Sequence, residues 1–139
     1  MKMPNKILLL FFVLIMISCN HTPQNKAAQT ALNFYKAMYS LKLTEAKQYC
    51  TPEATKLVDF IASNIKETDF IKLKEAGDPE ISVVESNINP GDSTATVKLK
   101  VSNYIQLNLL TGKSTIEKEK EDEVDLVKIN DKWLVDLHK

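Results

Sequence analysis

The stretch Thr94-Ala95-Thr96-Val97-Lys98-Leu99-Lys100-Val101 alternates without a break, with Ala95, Val97, Leu99 and Val101 on one face and Thr96, Lys98 and Lys100 on the other. A period of two is the side-chain spacing of a β-strand, so one apolar face backed by a charged one predicts a half-buried antiparallel strand. The pattern runs on through Tyr104, Ile105, Leu107 and Leu109, and Thr111-Gly112 then turns the chain. Ser114 to Ile129 is predicted to return as a long strand whose first half, Glu117 to Glu123, has no apolar side chain. That run reads as a solvated strand end with charges paired across to Lys98 and Lys100, rather than as a docking surface for a charged partner. Asn130-Asp131 suits a two-residue hairpin, after which Trp133, Val135 and Leu137 alternate inward. Upstream, Ile81 to Ile88 reads as the first strand, closed by Asn89-Pro90-Gly91-Asp92 as a type II turn with Pro90 and Gly91 central.

Before Asp78-Pro79 the period is helical instead. Thr22-Pro23 has the cap-then-proline form of a helix start, and Ala27, Ala31, Phe34, Tyr35, Met38 and Leu41 then recur on one side of about five turns. A short helix is predicted from Thr44 to Tyr49, capped by Thr44. Thr51-Pro52-Glu53 repeats the start signal and adds an acid where the helix dipole favours it. The helix that follows is expected to carry Leu57, Val58, Phe60, Ile61 and Ile65 inward. Thr68 to Ala76 reads as a fourth helix, ended by Gly77. The expectation is an α+β domain, with three to four N-terminal helices packed on a curved four-stranded antiparallel sheet.

The N-terminus has a different character. Lys2 and Lys6 precede an unbroken apolar run, Ile7 to Ile17. A permanent bilayer span takes roughly 20 apolar residues, so this shorter run reads as an export signal. It ends in Met16-Ile17-Ser18-Cys19, which resembles the lipobox of bacterial lipoprotein precursors, with methionine in place of the commoner leucine. The resemblance implies cleavage between Ser18 and Cys19 and acylation of Cys19, and so a protein anchored to a membrane rather than spanning it. Residues 1–18 are then a lipoprotein signal peptide, 19–23 the lipidated cysteine and a short tether, and 24–139 the folded domain. The tether lacks an acidic cluster, which favours the outer membrane with the domain facing the periplasm.

Length and charge narrow the function. The chain has 139 residues and balanced charge, 18 basic against 18 acidic, all the basic residues being lysine. Without the signal segment there is material for one core and not two. A nearly neutral domain without arginine is poorly equipped to grip nucleic acid. Once Cys19 carries lipid, Cys50 is left without a partner for an intramolecular disulfide and reads as a small buried apolar side chain.

Two stretches carry a further resemblance. Ala27 to Ala54, AAQTALNFYKAMYSLKLTEAKQYCTPEA, is similar to the opening of the nuclear-transport-factor-two-like superfamily, and Glu123 to Leu137, EVDLVKINDKWLVDL, to its closing hairpin. The order of elements resembles the cystatin-like cone, and the nearest likeness within it is to an uncharacterised family of small lipoprotein domains typical of Bacteroidetes. Asn130-Asp131 stands where that hairpin usually has a glycine. The matching residues are packing residues, so the resemblance implies a fold and an address but no mechanism.

Cones of this type usually hold a cavity between sheet and first helices, and their enzymes place an Asp or His in it. Here His21 lies in the tether and His138 next to the end, and neither suits a general base. Asp59 with Tyr35 or Tyr39 could form an isomerase-like pair, but Asp59 is expected on the solvated side of its helix. No His or Cys pair has metal-ligand spacing, and Gly77, Gly91 and Gly112 stand apart in turns rather than in a phosphate loop. No cofactor is expected. The candidate pocket lining is Phe34, Tyr35, Met38, Phe60, Tyr104 and Trp133. The expectation is a non-enzymatic envelope lipoprotein that binds a small apolar ligand or an envelope protein. The alternatives are an isomerase or dehydratase on the same cone, or a structural accessory subunit that pairs with a like domain as a homodimer.

Overall fold

The computed structural model describes residues 23–138; the expected signal segment, Cys19, Thr22 and most of the expected tether lie outside the described residues. The first helix, α1 (Pro23–Tyr39), turns Ala27, Ala31, Phe34, Tyr35 and Ala37 into the core. It ends where Leu41 takes a left-handed backbone, φ 57°, with Leu41 N–H donating to the Met38 carbonyl and Lys42 N–H to that of Ala37. This reciprocal pair closes the open carbonyls of the last turn, and glycine is its usual occupant because a Cβ is strained there. Leu41 keeps the position with its side chain buried.

The short helix α2 (Leu43–Ala46) runs into a 3-10 turn, Lys47–Tyr49. Lys42 rather than Thr44 precedes it, without a side-chain cap, because the turn at Leu41 already delivers the chain in helical direction. Helix α3 (Pro52–Asn64) is capped as expected, Ala54 N–H donating to Thr51 Oγ1 at 3.2 Å. Its inward stripe is Ala54 and Val58, which are buried, while Leu57 and Phe60 face solvent at 42% and 54% exposure. This corrects the expectation that both pack inward. The helix meets the sheet along one narrow line, and Val58 occupies it. Helix α4 (Glu67–Ala76) begins with Asp69 Oδ2 accepting from Lys66 N–H at 2.8 Å and ends at Gly77, φ 84°.

The sheet is antiparallel and open, in the order β1 (Glu80–Ile88), β2 (Thr94–Asn108), β3 (Lys113–Ile129), β4 (Lys132–Asp136). The turn at Asn89 closes with Asp92 N–H on the Asn89 carbonyl and Gly91 at φ 96°, as the type II assignment requires. Asn130 and Asp131 both have positive φ, the signature of a type I′ hairpin whose twist matches the strands. Val97 faces Val124, and Leu126 faces both Ala95 and Val135. Val58, Val97, Leu99, Val101, Leu126 and Val135 are the largest fully buried side chains, each worth about 1.5–3 kcal/mol relative to exposure.

Strands β2 and β3 run on past their neighbours, since β1 pairs only as far as Ser102 and β4 only with Asp125 to Ile129. In this ribbon Asn103 has φ 52° and breaks the alternation, so that Tyr104 and Ile105 are both buried. Its side-chain amide donates to the Ala76 carbonyl at 2.8 Å, tying the break to the end of α4. Near the ribbon's tip, Ser114 Oγ donates to Asp69 Oδ1 at 2.5 Å, and Lys72 Nζ donates to the Ser114 carbonyl at 2.7 Å. At the other edge, Cys50 forms an isolated bridge to Val135, and Thr51 N–H donates to the Val135 carbonyl, covering part of β4.

Candidate functional site

The last two turns of α1 lie over the projecting part of β2, and between them is a cavity of about 320 Å³. Phe34, Tyr35, Met38, Tyr39 and Leu41 form its helical wall. Ile105 and Leu107 form the strand wall, Leu109 contributes from the turn after β2, and Ile61 and Leu137 from α3 and the end of the chain. Gln106 and Lys120 add the polar groups of the lining. The volume lies at the small end of ligand pockets, roughly 300–1,000 Å³, and a mostly apolar wall with few polar groups is their usual composition.

Lys120 and Asp122 come from the middle of the charged run. Their register partners, Val101 and Leu99, are core residues, so alternation turns both side chains toward the helices. Lys120 Nζ is 2.9 Å from Asp122 Oδ2 and lies 5.1 Å and 5.0 Å from the ring centres of Tyr39 and Tyr104. Tyr39 Oη donates to the same Asp122 oxygen at 3.4 Å. Tyr35, Tyr39 and Tyr104 continue as a chain of ring contacts, 5.8 Å and 5.5 Å between centres. Burial, and secondarily the charge of Asp122, hold the hydroxyls of Tyr35 and Tyr39 well above the usual tyrosine range.

Two of the run's seven residues, Lys120 and Asp122, therefore lie outside the solvated-strand reading. On the opposite face that reading applies: Lys100 pairs with Glu119 at 2.6 Å, and Lys98 is the register partner of Glu123.

Of the residues singled out in the sequence, Phe34, Tyr35 and Met38 line the cavity together. Tyr104 stands beside it against Tyr39 and Lys120. Phe60 does not line it, being on the outer side of α3, and Trp133 is packed in the main core. Asp59 is exposed and paired with Lys47 at 2.9 Å, away from the cavity. His138 Nε2 is 2.9 Å from Asp136 Oδ1 without the angle of a hydrogen bond. Cys50 is buried, and desolvation pushes its thiol up, partly opposed by a contact to Thr55 and the charge of Lys47. Among the described residues no group of His, Cys, Asp or Glu is placed to hold a metal, and no helix is long and apolar enough to cross a membrane.

Of the twelve lining residues, Phe34, Tyr35 and Met38 were among the pocket candidates read from the sequence and the other nine were not, including both polar ones, Gln106 and Lys120. The parity of Lys120 with Val101 was the available signal, but it becomes visible only once the strand register is known.

Two solved structures share this architecture. One, named as an NTF2-like transpeptidase of Campylobacter jejuni, superposes with a TM-score of 0.52 at 26% identity, over 78% of this chain and 95% of that one. The other, the intermembrane-space region of the chloroplast protein ARC6, gives 0.51 at 14% identity, over 79% and 92%. The fold is NTF2-like. No family model matches the chain, and no curated protein matches it significantly. The NTF2-like cone is thus established by helix order, open antiparallel sheet and superposition together, and the cavity sits where helix and curved sheet part.

Proposed function

We propose that the chain is a membrane-anchored lipoprotein of the cell envelope whose NTF2-like cone binds a small apolar ligand without transforming it. The observation that carries this reading is the cavity under the end of α1, apolar on both walls and close to one ammonium group. Anchoring is supported by the lipobox-like Met16-Ile17-Ser18-Cys19 and the apolar run before it. Binding is preferred to catalysis because the acid that an isomerase-like pair would use is held elsewhere: Asp59 is ion-paired with Lys47 at the surface. The transpeptidase name of the C. jejuni neighbour would call for a nucleophile. Here Cys50 is buried with a raised thiol pKa, and Ser114 is buried against Asp69, so neither supports that chemistry.

Two measurements test the proposal. Cells given labelled fatty acid should label the chain, and a Cys19→Ala variant should remain unprocessed and unlabelled; equal labelling of both would remove the anchor. An apolar fluorescent reporter should bind the chain and lose affinity when Leu107→Trp fills the cavity. Unchanged binding in that variant would remove the ligand site.

A further inference from the structure

We infer that the ligand of this cavity carries a single carboxylate, recognised by Lys120, on an apolar body. The inference rests on the ligand-binding reading above and specifies its substrate class. Lys120 is the one cation in the cavity lining among the described residues. An ammonium has three N–H donors, and Asp122 Oδ2 at 2.9 Å takes one of them. That oxygen also receives the Tyr39 hydroxyl, so Asp122 is already supplied with a donor that does not depend on Lys120. The rings of Tyr39 and Tyr104 flank the ammonium and fix where it stands while leaving its remaining donors unspent, because a ring face attracts the charge without the geometry of a hydrogen bond. With its side chain 28% exposed, the group lies at the cavity's mouth and not in its floor.

The chemistry of the site selects among ligands. One compact ammonium with donors left over can meet one carboxylate and no more, and Asp122 tempers its pull. A phosphate would call for a second cation or a guanidinium fork, and neither lines the cavity. The cavity's 320 Å³ is about ten water volumes at roughly 30 Å³ each, which suits a short aliphatic or single-ring acid and excludes a whole phospholipid. Gln106, whose amide can donate or accept, offers a second polar contact near the mouth.

The test uses the full chain in lipid nanodiscs, with empty discs as blank, and two photoreactive probes that share a decyl body: one ends in a carboxylate, the other in an alcohol. Labelled peptides are mapped by mass spectrometry, and half-saturation is read by competition with decanoate or decanol. The expected result is labelling at residues 34–41 and 105–109, with the acid favoured about tenfold. Lys120→Met should level the two probes, and Asp122→Asn, which frees a donor, should favour the acid further. Equal labelling of these segments by acid and alcohol overturns the carboxylate inference and leaves the pocket standing. Absence of both labels from these segments overturns the pocket as well. If Lys120→Met does not fold, the comparison of the two probes on the unaltered chain decides the matter.

Discussion

The ammonium of Lys120 lies 5.0 Å from the ring centre of Tyr104 on the helix-facing side of the sheet, although its neighbours Glu119 and Glu121 are exposed strand residues. A stretch that looks uniformly solvated thus has two faces. One carries exposed ion pairs, worth little individually, and the other places a half-buried charge against two aromatic rings.

Alkaline pH should unfold the chain through this cluster. Tyr35 and Tyr39 have raised pKa values in the folded state, so above about pH 10 the unfolded chain loses protons that the folded chain keeps. Their contribution is complete below that value and is lost as pH rises through it toward the folded pKa values. Melting temperature should fall steeply over this range, and the double variant Tyr35→Phe/Tyr39→Phe should flatten the fall. An equally steep fall in the variant would show that other groups are responsible.

Helix α4 is held to the ribbon by Asp69, which is 3% exposed and accepts from both Ser114 Oγ and Lys66 N–H. Replacing it with alanine removes a helix cap and leaves a buried hydroxyl without its acceptor. Asp69→Ala should cost about 2–4 kcal/mol in denaturant unfolding. A loss below about 0.5 kcal/mol, the usual size for surface changes, would mean that the network is incidental.

Leu41 pairs a strained backbone with a buried side chain. Leu41→Ala keeps the strain and loses the packing, whereas Leu41→Gly loses slightly more side chain but relieves about 1 kcal/mol of strain. Glycine should therefore be the more stable of the two variants in thermal melts. The reverse order would contradict the strain.

The two readings of α3 separate by mutation. Val58→Ala should cost about 2–3 kcal/mol, because Val58 is fully buried and a void is left behind. Phe60→Ala should cost less than about 1 kcal/mol despite the larger truncation, since the ring is half exposed. Equal costs would restore Phe60 to the core.

Much of the fold was legible because its signals are local. Alternation from Ala95 to Val101, the paired positive-φ turn at Asn130-Asp131 and the Thr51 cap each depend on a few adjacent residues. The inward line of α3 was not legible, since Leu57, Val58, Phe60 and Ile61 form an apolar arc too wide to show which edge meets the sheet. Three of the cavity's twelve lining residues, Phe34, Tyr35 and Met38, were read from the α1 stripe. The rest depends on register and on the break at Asn103, where a left-handed residue turns Tyr104 inward. Trp133 illustrates the opposite error, an aromatic well suited to a pocket that the core absorbed.

The most direct test of the account is native mass spectrometry of the chain purified gently from its own host, beside a Leu107→Trp variant prepared in the same way. The account predicts a non-covalent small-molecule adduct on the unaltered chain, separate from the acylation proposed for Cys19, that is absent from the variant. An unaltered chain that carries no non-covalent adduct, and that takes up no apolar acid or alcohol when offered one, would contradict it.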